Sequence, residues 1–385
     1  MAKIKMGMVG GGEGAFIGAV HRMAAAIDGE IELVCGAFNS DAARSHRSGQ
    51  GLHLSADRVY ANYHLMFESE AALPQEQRMD FVAIVTPNHL HFPIAEAALT
   101  AGFHVLSDKP ATLNLDEALR LRKIVEATGL LYGLTHTYTG YPLIKEARSR
   151  VLSGELGAIR KVIVEYPQGW LADRQEDGDN RQAAWRLDPS QAGVSSCMGD
   201  IGVHAMNLVE YVTGQKITEI CSDLTAFVPG RALDDDGSIL LRFNGGAKGV
   251  LTASQVCVGE ENGLRIRVYG ELGGLEWAQQ EPNTLWLKFT EQPTQMLRTG
   301  ASYLCELAKL NTRIPMGHPE GYLEAFANLY MAFSGQIRAL QLGKKPDARS
   351  ADLPGIKEAV RGMTFIELAV SASASNIKWH VFCDH

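Results

Sequence analysis

Residues 10–18 read Gly-Gly-Gly-Glu-Gly-Ala-Phe-Ile-Gly, and no other stretch restricts the fold as much. They follow the apolar run Ile4–Val9 and lead into the amphipathic segment Phe16–Asp28. A strand that turns through glycines directly into a helix belongs at the C-terminal edge of a parallel sheet. There the N–H groups at the helix start bind an anion, and the missing side chains let backbone approach a pyrophosphate. Gly10, Gly12, Gly14, Ala15, Phe16 and Ile17 are therefore expected to contact a dinucleotide. The spacing departs from Gly-x-Gly-x-x-Gly because six positions separate Gly12 from Gly18, so the loop carries a short insertion.

The rest of the first third keeps the same rhythm. Strands are expected at Ile31–Phe38, Asp80–Val85, Phe103–Leu106 and Leu130–Leu134, with helices at Phe92–Ala101 and Leu115–Thr128 and a further one opening at Asp41. Such alternation predicts a doubly wound parallel sheet. After about residue 140 the pattern becomes β-rich. Strands are expected at Ile159–Tyr166, Ile217–Val228, Ser238–Phe243, Gly249–Val256, Leu264–Tyr269, Gly274–Trp277 and Leu285–Phe289. Asn244-Gly245-Gly246 fits a hairpin turn. The segments 171–184 and 291–320 read as long loops, and Tyr322–Leu342 and Ser350–Asn376 as late helices. The fold class is α/β: a Rossmann domain over 1–137, then an α+β domain over 138–385 with a large, mainly antiparallel sheet. A chain of 385 residues fits two cores better than one. The apolar content of the second-domain strands predicts a sheet face that wants a partner, hence a homodimer or homotetramer.

The net charge is −8 with no Lys/Arg block, which argues against a nucleic-acid partner. No apolar run reaches membrane-spanning length, and Met1-Ala2-Lys3-Ile4-Lys5 runs straight into a strand, so a cytoplasmic protein with no membrane partner is expected. The six cysteines show no metal spacing and read as reduced, with Cys197 worth watching because it lies close to Asp200. No metal site is expected.

The second strand ends at Asn39-Ser40-Asp41, without the carboxylate that would hold the ribose hydroxyls of NAD. Asn39 or Ser40 can replace it, and Arg44 can reach a 2′-phosphate. NAD is favoured, with NADP the alternative, because no arginine directly follows Asn39. A second turn, Thr86-Pro87-Asn88, follows an apolar strand, where α/β sheets bind ligands, and His91 lies just beyond. A third, Asp108-Lys109-Pro110, ends another strand: Pro110 cannot continue a central ladder and keeps Lys109 extended, which holds an ammonium in a fixed place.

Together these motifs resemble the Gfo/Idh/MocA family of oxidoreductases over nearly the whole length. The markers are the Gly10–Gly18 loop with His21, Thr86-Pro87-Asn88-His89-Leu90-His91, the run Ala101–Pro110, Trp185-Arg186-Leu187-Asp188-Pro189 and Gly199-Asp200-Ile201-Gly202-Val203-His204. The resemblance implies that Lys109 and His204 touch a reacting secondary hydroxyl with Asp200 nearby. It also places Thr86, Pro87, Asn88, His91 and Asp108 near the nicotinamide end of the cofactor. His204 suits proton transfer near neutral pH, and Lys109 suits alkoxide-like charge. Asp200 and His204, four apart, would share one face of a helix.

Three departures stand out. Asp108 replaces the usual glutamate, Val194-Ser195-Ser196 replaces a glycine run, and His136-Thr137-Tyr138 stands where an arginine is common. Tyr138, Tyr141, Trp170, Trp185 and Arg186 offer faces and donors for a sugar ring, and His318 lies on a late loop able to close over it. Arg174, Arg181 and Arg231 are candidates for an anionic substituent. The function expected is NAD(P)-dependent hydride transfer at a ring alcohol of a sugar, glycoside or cyclic polyol. The alternatives are a glycosidase using NAD without net redox change and, less favoured, a cofactor-bound sensor.

Overall fold

A computed structural model describes residues 2–178 and 180–385, the side chain of Arg181 excepted. The chain divides into two compact units. One comprises residues 1–137 and 322–360, the other 138–321 and 361–385.

The first unit is built on five parallel strands: β1 Ile4–Gly10, β2 Ile31–Ala37, β3 Phe81–Val85, β4 His104–Ser107 and β5 Tyr132–Leu134. Their order is β2-β1-β3-β4-β5, so the chain reverses direction between β1 and β3. That switch point opens a crevice at the C-terminal edge of the sheet, directly over the glycine loop. Each face of the sheet has its own core. Met66, Phe67, Ala95, Leu99 and Leu121 fill one. Val20, Ala24, Phe326, Tyr330 and Phe333 fill the other.

The last three of those residues belong to the helix Tyr322–Gln341, which the sequence reading had placed in the second domain. Its apolar stripe packs on the parallel sheet beside the helix Phe16–Ile27. The segment after it then runs along β5: Leu134 N donates to Pro354 O at 2.8 Å, and Gly133 bridges Gly355. The helix pattern was legible, but the surface it covers was not.

The second unit carries a nine-stranded sheet. Its strands are β6 Ile159–Pro167, β7 Ile217–Thr225, β8 Asp236–Phe243, β9 Lys248–Ser254, β10 Arg265–Gly270, β11 Gly273–Ala278, β12 Thr284–Phe289, β13 Gln292–Arg298 and β14 His380–Val381. The order is β13-β12-β11-β10-β6-β9-β8-β7-β14, antiparallel except for the β6–β9 pair. β13, exposed along most of its length, was missed because it has no buried alternation to read. The turn at 244–246 is a hairpin, with Gly246 at φ +87°. The outer face is not the apolar surface expected. Arg265 and Arg267 pair with Glu165, Arg265 and Lys288 pair with Glu276, and Arg242 pairs with Glu219. Leu240, Trp286 and Met296 stand exposed among them. No helix among the described residues is long and apolar enough to cross a membrane.

Candidate active site

The dinucleotide cradle is a matter of atoms that are not there. A Cβ on Gly10 would lie 2.8 Å from Val85 O, and one on Gly12 would lie 2.8 Å from both Phe38 O and Ser48 Oγ. On Gly18 it would meet Gly11 Cα at 2.3 Å. Gly18 is therefore the glycine that lets the first helix close onto the loop, with Gly11 as its counterpart. The sequence reading assigned neither, because the insertion had displaced the expected spacing. Gly14, in contrast, has open space around it and is required for its φ of +80°. Arg22 ties the loop from below, donating from Nη1 to Gly11 O at 2.6 Å. A cleft of about 820 Å³ opens beside the loop, lined by Gly12–Phe16, Arg22, Arg47, Ser48 and Gln50–Leu52.

Among the buried polar atoms of this unit that lack protein partners among the described residues are Thr86 Oγ1 and His21 Nε2. Cut away backbone and unmet polar atoms beside a glycine cradle are what a dinucleotide site requires. Gly10–Ile17 would hold the phosphates and Thr86 the nicotinamide end. The ribose site is less complete. Asn39 Oδ1 accepts from Asp41 N at 3.0 Å, and Asp41 caps the next helix by accepting from Arg44 N at 2.9 Å. The Asn39 carbonyl is thus spent on a local turn, while Ser40 is exposed.

Lys109 is set by its neighbours. Asp108 Oδ1 accepts from Lys109 N and from Thr135 Oγ1, both at 2.9 Å. The peptide joining Lys109 to Pro110 is cis. His91, expected at the cofactor, is buried instead. Its Nδ1 lies 2.7 Å from Pro110 O and its Nε2 2.8 Å from Thr86 O. With both ring nitrogens on backbone carbonyls, it ties the Thr86 turn to the Lys109 turn. Burial pushes the His91 pKa down, against the pull of Asp108. His136, the departure from the family arginine, is pushed down to about 3 by burial and by Lys109. His21 is pushed down to about 4 by burial and contacts Tyr330 OH through Nδ1 at 2.8 Å.

In the second unit, Asp200 lies in a π-helical turn, Met198–Gly202, and His204 opens the α-helix Val203–Thr213. The wider turn replaces the single α-helical face expected of the pair. Single π turns of this kind recur at functional sites. The turn is anchored from beneath: buried Asp234 accepts from Ser195 Oγ, Ser196 N and Met198 N at 2.9–3.1 Å. Of the two serines that replace glycine, Ser195 anchors the turn through its side chain and Ser196 through its backbone N–H. Cys197 is buried and burial raises its thiol pKa well above the ordinary value, so it carries no thiolate.

Asp200 Oδ2 takes Arg186 Nε at 3.2 Å and Gln255 Nε2 at 3.0 Å. The Arg186 guanidinium lies over Trp185 at 4.3 Å and faces Trp170 at 6.0 Å. Tyr138 presents its ring edge-on to His204 at 4.9 Å, and its hydroxyl is held by Tyr166 and Asn262. Sequence reasoning missed Gln255, Tyr166 and Asn262, all polar residues near strand ends that carry no motif. Tyr141 belongs to the core, 1% exposed and packed on Trp277. His318 sits in an exposed turn with Nδ1 on Pro315 O. Arg174 pairs with Asp177, and Arg231 with Glu176 and Asp235. The Arg181 side chain lies outside the described residues.

Residues 4–136 match an oxidoreductase family with an NAD-binding Rossmann fold, and residues 144–276 match the GFO/IDH/MocA C-terminal domain. An uncharacterised oxidoreductase of Bacillus subtilis, YfiI, is 32% identical over 382 residues, covering 98% of this chain and 97% of that protein. An inositol dehydrogenase homolog from Azotobacter vinelandii, complexed with NAD+, has the same fold at TM-score 0.93 and 37% identity. The match covers 99% of this chain and 97% of that one. A structure with NADH and myo-inositol from the same organism gives 0.92 at 36% identity, covering 99% and 98%. A levoglucosan dehydrogenase of Pseudarthrobacter phenanthrenivorans is 26% identical over 231 residues, 54% of this chain and 57% of that protein.

Proposed function

Since the chain belongs to the Gfo/Idh/MocA family of oxidoreductases, with an NAD-binding Rossmann domain, we propose that it oxidises a ring secondary alcohol of a cyclic polyol or sugar. The observation that carries this reading is the C-terminal edge of the parallel sheet. There the glycine cradle and the Thr86 and Lys109 turns follow β1, β3 and β4. Relatives complexed with myo-inositol or named for levoglucosan support a ring substrate.

Bound NAD supplies the hydride acceptor. The chain's own residues handle the proton and the developing charge. His204 accepts the hydroxyl proton, and the Lys109 ammonium stabilises negative charge on the oxygen. Asp200 orients the hydroxyl or the base. Tyr138 fixes the His204 ring, and Arg186 with Trp185 and Trp170 offers a face and donors to the ring substrate. His91 and Asp108 act by holding the Lys109 turn in place.

The purified protein is incubated with NAD and a panel of cyclic polyols, anhydrosugars and aryl glycosides, with NADH and aglycone followed together. NADH formation with an unglycosylated ring alcohol is expected. Aglycone release without net NADH would replace this reading by the redox-neutral glycosidase.

A further inference from the structure

Gln255 is a buried polar side chain without a catalytic assignment. It lies directly after β9 and is 0% exposed. Its N–H donates to Asp235 O at 2.8 Å, and its carbonyl accepts from Leu171 N at 3.0 Å, so its backbone is fixed from both sides. Its Nε2 donates to Asp200 Oδ2 at 3.0 Å, while its Oε1 is buried and meets no hydrogen-bond partner among the described residues. The carboxylate sets the orientation of the amide, since the flipped form would put oxygen against oxygen. An interior amide that leaves an acceptor unmet costs stability that an apolar side chain of similar volume would not. The side-chain hydrogen bond it makes in return, among the described residues, is with Asp200.

We propose that Gln255 is a positioning residue whose buried amide holds the Asp200 carboxylate aimed at the reacting hydroxyl. The role rests on Asp200 acting at that hydroxyl, as argued above. Arg186 reaches the same oxygen, but it is 22% exposed and rides on the short helix Arg181–Arg186. Gln255 grips Asp200 from the sheet, whatever that helix does. It is also uncharged, so it holds the carboxylate without adding a cation to it. The ionisable groups facing Asp200 include Arg186, Tyr138 and Cys197, and Asp234, Asp235 and Asp236 act in turn on Cys197.

The test follows Asp200 directly, in NAD-loaded protein, by carbon-13 carboxylate NMR with Asp200→Asn as the assignment control. The pH profile of kcat is measured alongside. Gln255→Leu removes the donor, and Gln255→Glu keeps the shape but replaces the amide by an acid. In Gln255→Leu the protonation midpoint of Asp200 should rise by about one pH unit. Its kcat should fall roughly tenfold with KM within about twofold, the signature of lost orientation rather than lost binding. Gln255→Glu should recover toward acid pH, where the protonated side chain again donates to Asp200. A merely structural role would produce no such recovery. An unmoved Asp200 titration in both variants overturns the role of Gln255. A titration that moves while both rate profiles match the parent overturns the orienting role of Asp200 instead.

Discussion

Lys109 is held through its backbone by its neighbours. Asp108 holds its N–H, and His91 braces the turn through Pro110 O. In the proposed mechanism its ammonium acts on charge that develops only in the transition state, so Lys109→Ala should lower kcat by roughly 10²–10⁴-fold. Affinity for NAD should stay nearly intact by fluorescence titration, and near-normal turnover would remove Lys109 from the mechanism. Two histidines with lowered pKa carry a pH prediction. His21 is held neutral, with its pKa pushed down from 6.5 to about 4 by burial, and His104 is likewise pushed down to about 4. The unfolded chain binds these protons first as pH falls, so the stabilisation is complete above pH ~6.5 and is lost toward pH ~4. For His21 alone the effect is of the order of 3 kcal/mol. The urea midpoint should therefore drop between pH 7 and pH 5, and a flat profile would contradict the burial of neutral imidazoles.

At the scale of elements, the glycine loop and the first helix form one device. Gly18 closes the helix onto Gly11, and a methyl group there meets backbone, which cannot rotate away. Gly18→Ala should weaken NAD binding more than about tenfold and destabilise the protein by about 1–3 kcal/mol, as overpacking does. Gly14→Ala meets no atoms and should cost only the strain of a positive φ, about 1 kcal/mol. Paired calorimetric titrations and melting curves would show whether the two glycines differ in this way. Equal losses would mean that the close approach of Gly18 to Gly11 has no special role. The π turn Met198–Gly202 is a second such device, since it presents Asp200 while Asp234 secures its start from within the core.

For the whole molecule, two expectations concern what it binds. NAD should be preferred over NADP, because no arginine directly follows Asn39 at the end of β2 and Arg44 stands close to Asp41. A single surface pair contributes about 0–1 kcal/mol. Tenfold tighter NADP binding by titration would reverse this. A homo-oligomer through the outer face of the nine-stranded sheet also remains our proposal, now on different grounds. The face offers a band of charges with Leu240, Trp286 and Met296 between them, a mixture suited to a polar-rimmed interface. Light scattering at micromolar concentration should give a mass above the 41.9 kDa of one chain, and a monomer would exclude it.

The sequence by itself determined the parallel α/β unit, the long antiparallel sheet and the turn carrying Lys109, whereas it put Asp200 and His204 on one helical face where the structure has a π turn leading into an α-helix. These depend on local signals: apolar period, glycine torsions, proline stops and short motifs read within about ten residues. The tertiary structure alone decided that Tyr322–Gln341 covers the parallel sheet, because an apolar helical stripe does not say which surface it meets. It alone turned His91 from an expected ligand contact into a brace, since its partners, Thr86 O and Pro110 O, are backbone atoms with no sequence signature. It alone brought Gln255 to Asp200, fifty-five residues away in the chain. Contacts of that separation arise from strand order and register, which side-chain pattern constrains only through the fold as a whole.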